Sequence, residues 1–455
     1  MINDLWFAGK RHSKVSVARN CGVFMIVYLK VAIVFCTETG CRQLMKTKKQ
    51  VIVIGGGAAG MIAAIAAGRR GAEVTILERN PRVGKKILAT GNGRCNFSNI
   101  FADYSHYYGH NPKFIKRILV NFTVDDTISF FEKLGIEHKV EDAGKVFPMS
   151  DQASSILDVL RYELKETGIT VISEAYVKNI TRKKAGFTIE LANGQACRGE
   201  RVIIAAGGKA MPASGSDGNG FDLAARLGHT VTSIFPALVQ LMLEGSFFKR
   251  IDGVKFVGTA EIIHNNKSLA KDKGDILFAN YGVSGPPVLQ LSRKAGELLN
   301  QGQEAYLKIT IMDMMSEEEV RKLIRKRFQL NPHKPVDFSF VGLINKRLIP
   351  VILAEAGISD LKRPVVALSA QEQDRITRIL TDWRFKIRGT KSWASAQVTA
   401  GGVNTREINE NTMESKLVKG LFFAGEILDI DGQCGGFNLQ WAWSSGFIAG
   451  QNAAL

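Results

Sequence analysis

The stretch that most constrains the fold is residues 51–78, which read VIVIGGGAAGMIAAIAAGRRGAEVTILE. A short apolar, β-branched run at residues 51–54 is typical of a buried parallel strand. It leads into the pattern G-x-G-x-x-G, then into an Ala- and Ile-rich segment of helical length, and then into a second strand that ends on Glu78. This order of strand, glycine turn, helix and strand predicts a βαβ unit that binds a dinucleotide.

The glycines of this turn each have a physical reason. Gly55 permits the tight turn, Gly57 lets the backbone approach a pyrophosphate, and Gly60 lets the helix pack on the strand. The free N–H groups at the start of the helix favour phosphate charge. Glu78 follows Gly60 by 18 residues, where a carboxylate accepts hydrogen bonds from a ribose 2′-hydroxyl. The carboxylate favours FAD or NAD over NADP, and the motif alone does not separate FAD from NAD.

Composition sets broad limits on the protein class. A chain of 455 residues can divide into two or three domains. The net charge of +17 suits anionic ligands, but the basic residues are scattered, so a solvated surface is favoured over nucleic-acid binding. None of the six cysteines forms a C-x-x-C pair. The sequence therefore predicts no metal site, no disulfide framework and a reducing, cytoplasmic location.

Residues 1–44 do not match the pattern that follows them. They carry basic residues ahead of an apolar run at residues 23–36, which Lys30 interrupts. A signal peptide has this order, but no A-x-A site follows, and the run is short for a membrane span. Met45 precedes the first strand directly. We therefore expect residues 1–44 to be a disordered or non-native extension, and we expect no stable membrane insertion.

Glycine-rich segments further along the chain favour a flavin nucleotide. Residues 79–96 form a Gly- and Asn-rich loop with several cations, which suits a pyrophosphate and a flavin ring. An apolar strand at residues 201–208 ends in two glycines, so its backbone can also approach a cofactor. Val177 lies on a predicted strand whose backbone would reach an adenine. A second nucleotide site at residues 215–220 is not expected, because the glycine spacing is wrong.

The C-terminal segment decides between FAD and NAD. An apolar strand ends on Gly425-Glu426, and further glycines lead into a helix at residues 439–449. This arrangement suits the ribityl chain and the O2 position of a flavin. FAD is therefore favoured, and the nucleotide domain is predicted to be split by an insertion.

The residues between the two nucleotide segments differ in character. Short strands and turn signals dominate from about residue 236 to about residue 310, and helices are predicted at residues 288–299, 316–328 and 340–356. The predicted organisation is an extension at residues 1–44, a first FAD-binding segment at residues 45–235, an inserted β-rich and helical substrate domain at residues 236–397, and a second FAD-binding segment at residues 398–455.

With these motifs collected, the chain resembles the Rossmann-type bacterial flavoproteins of the glutathione-reductase-like superfamily, in the branch of NAD(P)/FAD-dependent oxidoreductases. That branch includes an aminoacetone oxidase and a bile-acid-inducible flavoprotein that acts as a 3-dehydro-bile acid Δ4,6-reductase. Two positions depart from the family pattern: Ala279-Asn280 stand where Thr-His is expected, and Cys434 stands where Thr is usual. The resemblance covers about residue 48 to the C terminus, through the motifs GGGAAG, KKILATGNGRCNFSN, GKVFPMSDQASS, YGVSGP, TAGGVN and TMESKLVKGLFFAGEILDIDGQCGGFNLQWAWSSGFIAG.

The resemblance implies an α/β fold with a split glutathione-reductase-like Rossmann FAD domain and an inserted β-rich plus small helical domain. By position it places Ala59, Gly60, Glu78, Lys86, Arg94, Val177, Glu426 and Asn438 at the FAD. Together with the glycine-rich segments, the predicted cofactor-binding residues are Gly55, Gly57, Ala58, Ala59, Gly60, Glu78, Arg79, Lys85, Lys86, Gly91, Asn92, Arg94, Asn96, Val177, Ala206, Gly207, Gly425, Glu426, Gly436, Phe437 and Asn438.

The predicted function is an FAD-dependent oxidoreductase. Within the family we favour reduction of an activated C=C in a 3-oxo steroid or bile-acid intermediate, a hydrophobic and anionic small molecule, with NAD(P)H as co-substrate. An amine or aminoketone oxidase using O2 is the alternative enzyme, and a non-enzymatic flavin- or RNA-binding module is a third class. Tyr281, Asn280 and Cys95 are candidates for the proton donor, although a structural role is the stronger expectation for each. The sequence makes no prediction of oligomeric state.

Overall fold

The computed structural model describes residues 48–455, so the predicted extension at residues 1–44 lies outside the described residues. The first half of the chain contains β1 (Gln50–Ile54), α1 (Ala58–Arg69), β2 (Glu73–Leu77), β3 (Ser98–Asn99), β4 (Tyr107–Tyr108), α2 (Lys113–Asn121), α3 (Val124–Lys133), β5 (His138–Glu141), β6 (Lys145–Pro148), α4 (Ala153–Glu166), β7 (Thr170–Ile172), β8 (Val177–Lys183), β9 (Gly186–Leu191), β10 (Ala196–Gly199), β11 (Arg201–Ile204) and α5 (Asn219–Arg226).

The second half begins with short strands and ends in a long helix. It contains β12 (Phe235–Ala237), β13 (Leu241–Leu243), β14 (Lys255–His264), β15 (Lys267–Ala279), β16 (Gly282–Ser284), α6 (Pro286–Asn300), β17 (Tyr306–Thr310), α7 (Glu317–Leu330), α8 (Val336–Ser339), α9 (Ile349–Glu355), α10 (Ala370–Thr381), β18 (Trp383–Thr390), β19 (Val398–Ala400), β20 (Leu421–Phe423), β21 (Asp431–Gly432) and α11 (Phe437–Ala453).

One half of the described chain is organised around a five-stranded parallel sheet in the order β20-β11-β1-β2-β7. Its central strand β1 is fully buried at Val51 and Val53, as an apolar run flanked on both sides requires. β20 comes from the C-terminal segment and pairs with β11. The sheet is therefore completed only by residues far downstream, and the predicted α/β fold is confirmed.

The two ends of the described chain also meet in helix packing. α11 packs against the Ala-rich α1, and the two glycines Gly446 and Gly450 lie where the helices touch. A Cβ at Gly450 would overlap the carbonyl oxygen of Ala63, and a Cβ at Gly446 would overlap that of Ala59. Glycines four residues apart lie on one helix face, so they permit this close approach of the two backbones.

A closed six-stranded barrel, β13-β16-β15-β14-β17-β18, lies between these segments. The barrel and α6–α10 share an apolar core drawn from residues 241–387, whereas the core around the parallel sheet uses residues 51–224 and 403–453. The change from one core to the other falls close to residues 236 and 398, where the domain boundaries are predicted. The boundaries themselves stay predictions.

The secondary structure differs from the sequence expectation at three places. The helical periodicity of residues 114–134 predicts one helix, but the structure has two, because Thr123 and Asp126 form a capping box that starts α3. The alternating pattern of residues 170–180 predicts one strand, but it is divided between β7 in the parallel sheet and β8 in an antiparallel sheet. The helix expected at residues 340–356 forms only as α9 (Ile349–Glu355), and the prediction missed α10.

Within residues 48–455, no helix has both the length and the apolar character needed to cross a membrane.

A buried network of polar side chains connects the loop after α5 to the C-terminal segment. The side chain of His229 is fully buried; its Nδ1 lies 3.0 Å from Glu407 Oε2 and its Nε2 lies 2.8 Å from Ser415 Oγ. Burial lowers the pKa of His229, and the carboxylate of Glu407 opposes this in part. The folded protein therefore holds a neutral histidine at this position.

We expect the free energy of unfolding to fall as the pH drops below about 6.5, the usual pKa of histidine in an unfolded chain. Below this pH the unfolded chain binds a proton that folded His229 does not, so acid favours unfolding. His229→Gln should be less stable than the wild type at about pH 8 but should lose less stability on going to about pH 5.5. Urea unfolding at both pH values measures this, and His333→Gln, at an exposed histidine, serves as control. Equal acid sensitivity in His229→Gln and the wild type would contradict the prediction.

Candidate functional site

A cavity of about 820 Å³ opens where the strands of the parallel sheet end. Its wall includes Ile54 at the end of β1, Leu77 at the end of β2, Ala205 after β11 and Ala424 after β20. Open α/β sheets bind ligands at the carboxyl ends of their strands. The cavity is therefore where this topology places a ligand.

The predicted cofactor residues meet at this cavity, except Gly60 and Phe437. Gly60 lies inside α1, where a Cβ would overlap the carbonyl oxygen of Gly55. Phe437 is buried and stacks on His106, with ring centroids 4.6 Å apart. The predicted residues in the wall are Gly55, Gly57, Ala58, Ala59, Glu78, Arg79, Lys85, Lys86, Gly91, Asn92, Arg94, Asn96, Val177, Ala206, Gly207, Gly425, Glu426, Gly436 and Asn438.

The glycine turn leaves space for a ligand beside a helix N-terminus. Gly57 caps α1 with φ −79° and ψ −169°, a backbone conformation open to any residue, and no side chain caps this end. A Cβ at Gly57 would meet nothing within 4 Å. Gly55, by contrast, has φ +100°, and a Cβ there would lie 2.5 Å from Ala205 O. The space at Gly57 together with the free N–H groups of α1 fits a pyrophosphate.

Glu78 is held in the orientation that a ribose requires. It is 6% exposed and accepts hydrogen bonds from the backbone N–H of Gly56 at 2.8 Å and of Asn80 at 2.7 Å. The amide of Asn80 also donates to Glu78 at 2.8 Å and to Ser214 O at 2.9 Å. Oε1 accepts both Asn80 donors, whereas Oε2 accepts only the Gly56 N–H and keeps a lone pair for a further donor. Glu78 also lines the cavity, so this geometry suits a ribose hydroxyl at Oε2.

The segment at residues 214–219 belongs to the same cavity. Ser214, Gly215, Ser216 and Asn219 line it, and Asn219 Nδ2 lies 3.3 Å from Val177 O. The structure thus places these residues in the wall of the same cavity as Gly55 and Glu78.

Ion pairs hold most of the charged side chains in the wall. Lys86 Nζ lies 2.7 Å from Glu426 Oε2, and Glu426 Oε1 accepts the N–H of Thr399 at 2.8 Å. Arg94 pairs with Glu141 and Asp151. These pairs connect residues that are distant in the sequence, so they fix loops from both nucleotide segments around the cavity.

One buried oxygen in the wall has no donor. Asn96 Oδ1 is buried and has no hydrogen-bond partner among residues 48–455. A Cβ at Gly436 would lie 2.8 Å from this oxygen, so Asn96 sits beside the turn that starts α11. Buried acceptors are normally paired, and a ligand N–H in the cavity would satisfy this one. Together with the space at Gly57 and the orientation of Glu78, it makes the residues fit FAD.

The inserted segment of the chain contributes an apolar face that sequence reasoning missed. Leu238, Pro286 and Leu289, called the apolar wall below, line the cavity from the barrel side. The G-P-P turn at residues 285–287 signalled the start of α6 but not its place in the site. Residues 394–398, Gln433 and Cys434 complete this side, and no motif in the sequence pointed to residues 394–398.

The three proton-donor candidates do not line the cavity. Cys95 is fully buried, and burial raises the pKa of its thiol to about 12. Asn280 and Tyr281 form the turn between β15 and β16 of the barrel, and Lys391 lies over the Tyr281 ring at 4.7 Å. Cys95 packs in the core around the parallel sheet, and Asn280 and Tyr281 belong to the barrel, so none of the three lines the cavity. Among residues 48–455 no cluster of three His, Cys, Asp or Glu side chains could hold a metal ion.

Comparisons with known proteins agree with this geometry. The family model for the HI0933-like protein Rossmann domain matches residues 49–452. The 3-dehydro-bile acid delta(4,6)-reductase of Clostridium scindens is 39% identical over 404 residues, which cover 88% of this chain and 98% of that protein. The ribosomal RNA dihydrouridine synthase of Escherichia coli is 31% identical over 404 residues, 88% of this chain and 97% of that protein. The enzyme of the same name from Haemophilus influenzae is 29% identical over 409 residues, which cover 89% of this chain and 98% of that protein.

Proposed function

This chain belongs to the HI0933-like Rossmann family of FAD-dependent oxidoreductases, and from that premise we propose that it reduces a carbon–carbon double bond conjugated to a ketone in a 3-oxo steroid or bile-acid intermediate. The observation that carries the proposal is an apolar wall from the insert facing the dinucleotide-type residues across one cavity. The 39% identity to a bile-acid reductase over nearly the whole length of both chains supports the same substrate class.

FAD, when bound, supplies the hydride that such a reduction needs, and NAD(P)H is the proposed source of its electrons. The α1 N-terminus at Gly57 and the carboxylate of Glu78 would hold the pyrophosphate and a ribose. Asn96, Glu426 and Asn438 would surround the ribityl chain and flavin ring. These assignments rest on where the side chains line the cavity.

The apolar wall would bind the steroid rings and exclude water. Pro286 is exposed and Leu289 is partly exposed, so both offer apolar surface to a ligand, whereas Leu238 is only 4% exposed. Burying such surface stabilises a complex by roughly 25 cal/mol per Å². Excluding water beside the reacting carbons also strengthens the electrostatic interactions of nearby polar groups. The wall thus provides both affinity and a dry environment.

A second candidate substrate is a uridine in ribosomal RNA. Two relatives carry that activity in their names, and the net charge of +17 favours a polyanion. The reaction class is the same, since the uracil double bond is also conjugated to a carbonyl. On the outer barrel face, however, the exposed Lys255, Arg384 and Arg388 pair with Asp275, Asp382 and Glu244, which leaves less free charge for phosphates. We therefore keep the steroid as the leading proposal.

An anaerobic turnover assay tests the proposal directly. Purified protein is incubated with NAD(P)H and a panel of 3-oxo-Δ4,6 steroids, in parallel with unmodified ribosomal RNA, and products are identified by mass. The expected result is a gain of two hydrogens per saturated bond in the steroid. Hydrogen gain only in the RNA would move the function to the second candidate. In a separate incubation, bleaching of the flavin by an amine without oxygen, followed by peroxide release when oxygen is admitted, would move it to the oxidase.

Leu289→Asp tests the apolar wall. A carboxylate at this position would face the steroid rings without a partner, so we expect KM to rise at least about tenfold, as for loss of a buried leucine contact. Flavin content should not change, because Leu289 comes from the barrel side of the cavity. Leu289→Met conserves volume and should leave KM within about threefold. Steady-state kinetics with each variant measures this, and an unchanged KM in Leu289→Asp would remove Leu289 from the substrate site.

A further inference from the structure

Two polar side chains of α6 bond to the C-terminal segment, although the helix itself packs against β15 of the barrel. Arg293 Nε donates to Asp431 Oδ2 at 3.2 Å, and Gln290 Oε1 accepts the backbone N–H of Cys434 at 2.9 Å. Residues three apart lie on one face of a helix. Both bonds therefore join the same face of α6 to residues 431–434, a contact called the α6 junction below.

The guanidinium of Arg293 is enclosed at this junction. Its side chain is 16% exposed, and its Cζ lies 4.7 Å from the centroid of the Tyr108 ring and 5.8 Å from that of the Phe235 ring. Its Nη1 also lies 3.2 Å from Glu297 Oε2, one turn further along α6. Because aromatic faces attract a cation, these contacts hold the side chain in one orientation, with Nε directed at Asp431.

The carboxylate of Asp431 depends on this cation. Its side chain is 1% exposed, and its Oδ1 has no hydrogen-bond partner among residues 48–455. Burial raises the pKa of the Asp431 carboxyl to about 6 against the opposing charge of Arg293, and the charges of Asp429 and Glu426 add to the rise. At neutral pH the carboxyl is therefore ionised, and a buried carboxylate that loses its cation is strongly destabilised.

The α6 junction connects two parts of the cavity wall. Leu289 of the apolar wall lies four residues before Arg293, on the same side of α6. Residues 433–436 follow Asp431 directly and also line the cavity. Asn438 exchanges two hydrogen bonds of 2.8 Å with the backbone of β21. The contact of Arg293 with Asp431 therefore sets how far the apolar wall stands from the residues proposed to surround the flavin ring.

We propose that Arg293 is a positioning residue, which through Asp431 holds the apolar wall at the distance from the flavin that hydride transfer to a bound steroid requires. The proposal rests on the proposed function for the identity of the substrate. Neither side chain lines the cavity, so both act through α6 and β21. Hydride transfer needs the reacting atoms about 3–3.5 Å apart, and a displacement of about 1 Å can cost 100-fold in rate. Apolar contacts with the steroid are non-directional and depend less on the exact distance.

Three variants separate the ion pair from the helix that carries it. Arg293→Met removes the charge and keeps an unbranched side chain. Lys294→Met is the matched control, because it makes the same change at the next residue, whose Nζ pairs with Glu297 at 3.2 Å and not with Asp431. Since Arg293→Met leaves the Asp431 carboxylate buried and unpaired, it can fail to fold. The double variant Arg293→Met/Asp431→Asn removes the ion pair without leaving a buried charge, and it decides the outcome if the single variant does not fold.

The first experiment separates steroid binding from hydride transfer. Flavin is reduced anaerobically with dithionite, the enzyme is mixed with increasing concentrations of a 3-oxo-Δ4,6 steroid, and flavin reoxidation is followed by absorbance. In both Arg293 variants the limiting rate should fall at least about tenfold, while the steroid concentration that gives half of this rate should change by less than about threefold. Lys294→Met should match the wild type. A limiting rate within about threefold of the wild type, or a loss of affinity as large as the loss of rate, would overturn the proposal.

The second experiment needs neither substrate nor turnover. Hydrogen–deuterium exchange of the holoenzyme is read by mass at the peptide that contains the Cys434 amide, whose bond to Gln290 is part of the α6 junction. Exchange in this peptide should be at least about tenfold faster in the double variant than in Lys294→Met, with peptides from α1 unchanged. Equal exchange in the two variants would show that the ion pair does not hold α6 against residues 431–434.

The two experiments distinguish failure of this proposal from failure of the proposed function. A wild-type enzyme that reduces no conjugated ketone rejects the proposed function and with it the role in hydride transfer, while the exchange experiment still shows whether Arg293 holds the α6 junction. A wild-type enzyme that reduces the steroid, together with Arg293 variants that reduce it equally fast, rejects only the role of Arg293.

Discussion

Gly57→Val is expected to abolish flavin binding and to leave the fold intact. A Cβ at this position meets no protein atom within 4 Å, and the backbone conformation is one that valine adopts readily. The space that the side chain would fill borders the cavity at the N-terminus of α1, where the pyrophosphate is proposed to lie. Dissociation of FAD should increase at least about 100-fold, since both the close approach and its hydrogen bonds are lost. Flavin absorbance per chain after purification measures this effect.

The control places the same side chain away from the cavity. The control variant is Gly389→Val. Gly389 lies at the end of the barrel strand β18, where a Cβ meets only the flexible end of Met242. It should retain full flavin content. The circular dichroism of Gly57→Val should match that of the wild type, because the barrel and both cores are untouched. A Gly57→Val variant that purifies with stoichiometric flavin would show that the cofactor does not approach this turn.

Gly450→Val is expected to disrupt the fold itself. A Cβ at Gly450 would lie 2.8 Å from Ala63 C and 2.9 Å from Ala63 Cα, within the fully buried contact between α11 and α1. These neighbours are backbone atoms of a packed helix, so they cannot move aside as the end of a flexible side chain can. Overpacking of a core typically costs about 1–3 kcal/mol, and we expect the upper end or more at this contact. Urea unfolding and the yield of soluble, flavin-loaded protein measure the loss.

Gln451→Val serves as the matched control for this prediction. It introduces the same β-branched side chain into the same helix, at the next residue, which is partly exposed. Its cost should be below about 1 kcal/mol, the size of a helix-propensity difference. If Gly450→Val and Gln451→Val were equally stable, the close packing of α11 on α1 would not contribute to stability.

The two predictions separate two roles of glycine in this fold. At Gly57 the missing side chain leaves space for a ligand, whereas at Gly450 it leaves space for another helix. The first variant should lose the cofactor with the fold retained, and the second should lose both. Comparing flavin content with unfolding free energy for the two variants therefore tests the site and the scaffold independently.

Local sequence patterns predicted the nucleotide half of the protein well. The glycine turn with Gly55 and Gly57, the acid at Glu78 and the Gly425-Glu426 pair all line one cavity, as expected. Such motifs can be recognised in the sequence because their geometry depends only on the local backbone. A glycine or an acidic residue at the end of a strand takes the same position in any parallel sheet. The split of this domain was also predicted, since a second set of the same signals returned near the C terminus.

The barrel side of the cavity depended on contacts that no local pattern encodes. Leu238, Leu289 and Cys434 reach the cavity only because the barrel stands beside the parallel sheet, and the pairing of Cys434 with Gln290 joins residues 144 positions apart. The sequence candidates Tyr281 and Asn280 were chosen for their chemistry, and barrel packing placed them in a turn outside the cavity. The sequence by itself thus determined the fold class, the family and the position of the dinucleotide motif, because these follow from backbone geometry within short segments. Which side chains complete the cavity on its barrel side was decided by the tertiary structure, because it depends on how two separately packed cores meet.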